Sequence, residues 1–252
     1  MKKIRADQLL FEQGLAETRS QARALIMAGQ IYVVDDSQPE LSDRVEKAGR
    51  MLSPETLLSL KDRGSRFASR GGLKLEGALE DFSLDLAGLR ILDIGASTGG
   101  FTDCVLKRGA AHVTAVDVGY GQLDWRLRED PRVEVLERTN ARYITPDQVT
   151  GQFDMAVIDV SFISLSLILP AVLRLIRPKA VIVALVKPQF EVGREKLGKG
   201  GVVRDERIRL EAVDGVAEQA REIGLDVLAR TPSRLKGPKG NQEYFLLLSR
   251  SD

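Results

Sequence analysis

The stretch Asp93-Ile94-Gly95-Ala96-Ser97-Thr98-Gly99-Gly100-Phe101 constrains the fold of this chain more than any other. It continues an apolar run over 91–94 and leads into 101–108, whose spacing is that of a helix stopped by Gly109. A strand that turns through glycines directly into a helix is the opening unit of an α/β sheet. Its carboxylate, Asp93, falls at the strand end where such sheets bind ligands. Glycine has no Cβ, so a ligand can approach the backbone closely. The spacing is G-x-x-x-G-G with an acid two residues before it, and the G-x-G-x-x-G of dinucleotide sites is absent. That form suits a nucleoside joined to an amino acid better than a pyrophosphate. The candidate binding turn is therefore Asp93, Gly95, Ala96, Ser97, Thr98, Gly99, Gly100 and Phe101.

The alternation continues downstream. Strands are predicted over 113–117, 133–136, 155–159 and 181–186, with a helix over 165–175 between the last two. A glycine-rich loop over about 191–205 leads to a helix ending at Gly224, and strands follow over 225–229 and 243–248. The fold class is α/β, a doubly wound and mostly parallel sheet. Aromatics are only 5% of residues against 43% hydrophobic, so the core is aliphatic, as helices packed on a parallel sheet require. Asp117 ends the second strand roughly 20 residues beyond Gly95, where an acid can hold ribose hydroxyls. Three more charges gather at the same sheet edge: Asp159 ends the fourth strand, Lys187 ends the fifth, and Glu243 begins the last. Lys74 lies on a helix before the first strand, where Leu75, Ala78, Leu79 and Phe82 form one apolar face. A lysine at the end of an apolar strand must be paired if it is buried.

Residues 1–60 read as a small, separate α+β unit. Leu9, Leu10 and Leu15 precede a helix over about 20–28, with Ser20 as N-cap, Leu25 and Ile26 facing inward and Gly29 as stop. A short strand over 31–34 and a turn at Asp35-Asp36-Ser37 follow. Residues 61–73 read as a basic, glycine-bearing linker, and 74–252 as the larger domain. Arg19 and Arg23 share one helix face that can meet phosphates. Arg230, Arg234, Lys236 and Lys239, and separately Arg194, Lys196 and Lys199, either extend a basic track or are solvated loops. His112 and Cys104 read as structural, and Trp125 as a core residue with base stacking as the other option.

Net charge is +1, so any polyanion binding must come from local patches. A single cysteine makes no disulfide and no zinc site, which fits the cytoplasm, and no metal ligands are expected. No apolar run approaches the ~20 residues of a membrane span, and no signal peptide is evident at the start, so no membrane partner is expected.

Six segments in order, S-R-G-G-x-K-L, D-I-G-A-S-T-G-G-F-T-D, V-D-V-G-Y-G-Q-L, V-I-D-V-S-F-I-S-L, V-K-P-Q-F-E and K-G-N-Q-E-Y-F, resemble the TlyA-type, haemolysin-A-like 2′-O-methyltransferases within the FtsJ-like ribose methyltransferases. The first 60 residues resemble an S4 RNA-binding domain through R-A-D-Q-L-L, the G-L-A-E-T-R-S-Q-A-R segment and I-Y-V-V-D, though Asp35-Asp36 stands where Asn-Gly is usual. The resemblance implies a Rossmann-like fold, S-adenosylmethionine as cofactor and cytidines of small- and large-subunit ribosomal RNA as targets. It implies Lys74, Asp159, Lys187 and Glu243 as the catalytic tetrad. It implies a cofactor site that adds Asp117, Asn140 and Asp159 to the glycine turn, and an RNA grip through Arg5, Arg19, Arg23, Arg66 and Arg70. Lys187 would then be proton acceptor or charged stabiliser of the ribose oxygen, and the protein a monomer or weak homodimer. A membrane-lytic protein, a nicotinamide-dependent oxidoreductase and a non-catalytic RNA binder are the competing readings. The lack of a spanning segment, the glycine spacing and the complete tetrad respectively speak against them.

Overall fold

The computed structural model describes residues 3–16, 18–33, 43–60, 66–193, 196–198, 200–237 and 239–250. They fall into two compact units, residues 1–65 and 66–252. The expected turn at Asp35-Asp36, the first part of the linker, Arg194 and Lys199 lie outside the described residues.

The smaller unit holds β1 (Ile4–Arg5), α1 (Ala6–Glu12), α2 (Arg19–Met27), β2 (Ile31–Val33), β3 (Met51–Leu52) and β4 (Leu58–Leu60). β1 pairs with β3 and β2 with β4, both antiparallel. Leu9, Leu10, Ala22, Ile26 and Ile31 are buried in its core, whereas Leu25 only packs against the edge. The N-cap of α2 is Thr18, whose side chain accepts from the Gln21 amide, and not Ser20. Thr18 is extended, as a cap must be, while Ser20 is already helical.

The larger unit is built on a seven-stranded sheet ordered β10-β11-β9-β8-β5-β6-β7. Its strands are β5 (Arg90–Ile94), β6 (His112–Val116), β7 (Val133–Leu136), β8 (Phe153–Ile158), β9 (Ile176–Val186), β10 (Leu225–Pro232) and β11 (Tyr244–Arg250). β5 to β9 run parallel, and β11 is antiparallel to both its neighbours. Side chains alternate across the sheet. Leu92, Ile94, Ala156 and Ile158 face α6 (Leu169–Leu173) and α8 (Glu206–Glu222), and Ile91, Met155 and Val157 face α3 (Arg70–Asp81) and α4 (Gly100–Lys107). Strands buried on both faces must be apolar throughout, which is why their sequences are nearly unbroken hydrophobic runs.

Three expectations are corrected. The helix expected over 165–175 is a 3-10 turn, Leu165–Leu167, followed by the shorter α6, because Pro170 has no amide for a helix interior and sits in the first turn of α6. The linker expected over 61–73 is already folded by Arg70, where α3 begins with Ser69 as N-cap. Trp125 is 62% exposed and opens the short α5 (Trp125–Arg128), so it is not in the core. Cys104 is buried, and His112 contacts Thr114 at 3.3 Å on its own strand, as structural residues do.

Candidate active site

The order of strands reverses between β5 and β8, and there the outgoing chains separate to leave a crevice at the strand ends. The glycine turn follows β5. Gly95 takes φ +85°, and a Cβ there would lie 2.5 Å from the Asp159 carbonyl oxygen. No other residue allows the turn to pass this close to the end of β8. A second close approach fixes α3. A Cβ on Gly72 would meet Phe67 at 2.4 Å and the Gly100 carbonyl at 2.7 Å, so the S-R-G-G segment lets α3 press on the start of α4. That contact delivers Lys74 to the crevice.

The result is a cleft of about 450 Å³, lined by the turn, α3, the loop after β8, the start of α7 (Pro188–Glu191) and the approach to β11. Its volume falls in the ordinary range of small-molecule sites. The four tetrad residues meet in it. Lys74 Nζ donates to Glu243 Oε2 at 2.6 Å, with the two residues only 5% and 1% exposed. Lys187 Nζ lies 2.5 Å from Asp159 Oδ1 and donates to Ser161 Oγ at 2.9 Å. Two buried lysines are thus each held by one carboxylate, the arrangement that makes a buried ammonium tolerable. Register explains the convergence: Tyr244 of β11 pairs with Val186 of β9, so Glu243 and Lys187 leave adjacent strands at the same level.

The remaining expected residues separate into groups. Ala96, Ser97, Thr98, Gly100 and Phe101 line the cleft beside Gly95. Asp93 lies beneath the turn, fully buried. Its Oδ2 accepts from the Thr102 hydroxyl at 2.6 Å and its Oδ1 has no hydrogen-bond partner among the described residues. Burial pushes the Asp93 carboxyl up to about 7, aided by the nearby Asp159 and opposed by the Thr102 bond. Asp117 accepts from the Ser97 amide at 2.8 Å and the Gly119 amide at 2.7 Å, tying the glycine turn to the loop after β6. Asn140 is exposed, caps a 3-10 turn by accepting from the Arg142 amide, and stands outside the cleft.

Arg70 lines the cleft and donates to the Lys236 carbonyl, whereas Arg66 points away and pairs with Glu76 at 2.8 Å. Arg5, Arg19 and Arg23 all turn onto one carboxylate, the fully buried Asp7 of α1. The bidentate Arg5 and its companions hold the Asp7 carboxyl well below the usual range. Three guanidinium groups around one buried anion leave a compact, positive surface on the smaller unit. Elsewhere three residues of the expected basic tracks are ion-paired, Arg230 with Asp214, Arg234 with Glu80 and Asp81, and Lys196 with Glu211, while Lys239 lines the cleft.

Sequence reasoning missed four members of the site. Ser161 contacts Lys187, and Phe162, 89% exposed with φ +65°, forms the rim and tilts against Phe190 at 5.0 Å. Glu191 accepts from Ser164 and the Leu165 amide. Asn241 holds the glycine-rich loop by accepting from the Val203 amide and donating to the Gly201 carbonyl. All four lie inside segments already singled out by motif, so the signal was present but not resolved to individual residues.

Comparison with known proteins agrees with this geometry. The FtsJ-like methyltransferase family matches residues 67–250, and the S4 domain family matches residues 4–33. The chain is 49% identical over 98% of its length to the 16S/23S rRNA (cytidine-2′-O)-methyltransferase TlyA of Mycobacterium tuberculosis, covering 90% of that protein. It is 36% identical over 96% of its length to hemolysin A of Brachyspira hyodysenteriae, covering 98% of that protein. Among solved structures, a hemolysin-designated protein of Streptococcus thermophilus superposes with a TM-score of 0.75 at 45% identity, covering all of this chain and 90% of the other. An S-adenosylmethionine-dependent methyltransferase of Mesorhizobium loti shares the fold alone, with a TM-score of 0.52 at 14% identity over 72% of this chain and all of the other. With a strand–glycine turn–helix, a mostly parallel sheet and two lysine–carboxylate pairs at its switch point, the chain belongs to the FtsJ-like methyltransferases, in the branch that holds TlyA and hemolysin A.

Proposed function

We propose that this chain transfers a methyl group from S-adenosylmethionine to a ribose 2′-hydroxyl of ribosomal RNA, with cytidine as the target. The observation that carries the reading is the two lysine–carboxylate pairs, Lys74–Glu243 and Lys187–Asp159, that line one cleft beside the glycine turn. The residues fit the cofactor. The Asp93 Oδ1 has no hydrogen-bond partner among the described residues and lies under the turn, and Gly95, Ala96, Ser97, Thr98 and Gly100 present the turn itself to the cleft. The turn, Asp93 and Asp117 would hold it, with Asn140 further out on the loop after β7. When bound, the cofactor supplies a sulfonium methyl.

The chain's own residues align the hydroxyl and manage its proton. A hydroxyl that accepts this methyl would have to lose one proton, and its removal falls to these residues. Lys187 and Asp159 act as a unit: Lys187 takes the hydroxyl proton while passing one of its own to Asp159. Throughout, the lysine hydrogen bonds oppose the negative charge that develops on the oxygen. Lys74, fixed by Glu243, adds positive charge in the same cleft. Phe162 offers an exposed ring face at the rim on which a nucleobase can stack. The Asp7-centred arginines of the smaller unit and Arg70 at the cleft would grip phosphates.

The reading is tested by calorimetric titration of S-adenosylmethionine into the wild type and Lys187→Ala, alongside methyl transfer to ribosomal RNA. Both proteins are expected to bind the cofactor with similar affinity, and only the wild type to transfer. Transfer by the variant at the wild-type rate would refute the role of Lys187.

A further inference from the structure

Glu191 is a half-buried carboxylate that the methyl-transfer chemistry does not use. It ends α7, the single helical turn whose N-cap is Lys187. Its Oε2 accepts from Ser164 Oγ at 2.6 Å and its Oε1 from the Leu165 amide at 3.0 Å. Ser164 Oγ in turn caps the following 3-10 turn by accepting from the Ser166 amide at 3.2 Å. The segment from Asp159 to Leu165 is therefore pinned to α7 twice. Lys187 holds its beginning through Asp159 and Ser161, and Glu191 holds its end.

Between the two pins lies Phe162 at φ +65°. A bulky side chain in the left-handed region is strained, and such a residue persists only where its surroundings over-determine it. Without the second pin the loop can relax Phe162 to ordinary backbone angles. Relaxation would swing Ser161 off the Lys187 ammonium and the Phe162 ring off Phe190. Burial pushes the Glu191 carboxyl above its ordinary range, against the Ser164 and Leu165 bonds, so its place there is held by those two bonds.

We infer that Glu191 is a positioning residue for methyl transfer: by bracketing the Ser164–Leu165 turn it keeps Phe162 in its strained conformation and Ser161 on Lys187. The inference rests on the methyltransferase reading above. It assigns to the last residue of the V-K-P-Q-F-E segment a role in geometry, separate from cofactor binding, since the glycine turn belongs to other strands.

The test compares wild type, Glu191→Ala and Glu191→Gln as full-length chains, measuring kcat for methyl transfer to ribosomal RNA, cofactor Kd and Tm. Glu191→Ala removes both bonds and is expected to lower kcat about 10- to 100-fold, the cost of an ångström-scale misplacement, with cofactor Kd unchanged. Glu191→Gln keeps an acceptor for the Leu165 amide and a partner for the Ser164 hydroxyl, and is expected to restore most of kcat. In a Phe162→Gly background the left-handed backbone costs nothing, so Glu191→Ala should lose much less there than in the wild type. An unchanged kcat in Glu191→Ala, with the wild type active, would overturn the inference alone. Equal loss of kcat, cofactor binding and Tm in Ala and Gln would also overturn it, as a general structural role. A wild type that binds the cofactor and transfers no methyl to RNA would overturn the functional reading and the inference with it.

Discussion

Replacing Glu243 by Gln leaves the Lys74 ammonium buried with no carboxylate. The two groups are 2.6 Å apart and almost fully excluded from solvent. At an effective dielectric constant of about 20, their attraction at this distance is about 6 kcal/mol. Desolvation of both ions offsets much of that, but removing one partner leaves the other's desolvation uncompensated, which costs about 3–5 kcal/mol. For a unit of this size each kcal/mol moves Tm by about 2–4 °C, so the variant should melt roughly 6–20 °C lower. Lys74→Met should lose a similar amount at pH 8. The double variant Lys74→Met/Glu243→Gln carries no buried charge and should recover to within about 1–2 kcal/mol of wild type, while remaining inactive. Differential scanning calorimetry of the intact chain measures all three. A double variant as unstable as the sum of the single ones would refute the pairing argument, and so would single variants that melt with the wild type.

Asp93 predicts a pH dependence of stability. Its carboxyl is raised to about 7 in the folded chain from about 4 unfolded, so the folded state holds a proton that the unfolded chain releases. Stability should therefore fall by about 4 kcal/mol as pH rises from about 4 to about 7, and Asp93→Asn should flatten that slope in urea titrations. A variant that tracks the wild type across this window would discount the burial. Gly95→Ala forces a Cβ into the Asp159 carbonyl at a left-handed position, and should cost about 1–3 kcal/mol and most of the cofactor affinity, read by calorimetry. Asp7→Asn tests the arginine cluster by sign, because it adds one unit of positive charge yet removes the anchor of three guanidinium groups. Weaker RNA binding in a salt titration would indicate that arginine placement dominates, and tighter binding that charge alone does.

Much of the sheet was legible because buried parallel strands must be apolar on both faces, which makes 91–94, 155–158 and 181–186 stand out as runs. The beginning of β9 was not, since Arg177-Pro178-Lys179 reads as loop and pairs only through a register shift opposite Phe153 and Met155. α6 was overextended because apolar periodicity outweighed Pro170. In the site, Asp159, Lys187 and Glu243 could be placed from strand ends alone, since register brings adjacent strands to one level. Lys74 needed the resemblance, because nothing local tells that Gly72 lets its helix reach the crevice. Ser161, Phe162 and Glu191 escaped because their roles lie in contacts between segments and in backbone angles, neither of which has a period or a spacing to read. Trp125 was misjudged on composition, since tryptophan is mostly buried on average and only its neighbours decide the individual case.

Methyl transfer to a ribose oxygen is tested most directly by following tritium from methyl-labelled S-adenosylmethionine into purified 30S and 50S ribosomal subunits, with nuclease digestion to locate the label. Label is expected as a 2′-O-methylated nucleotide with the wild type and is expected to be absent with Lys187→Ala. Label on a base, or a cofactor-binding protein that labels no RNA, would contradict transfer to a ribose oxygen.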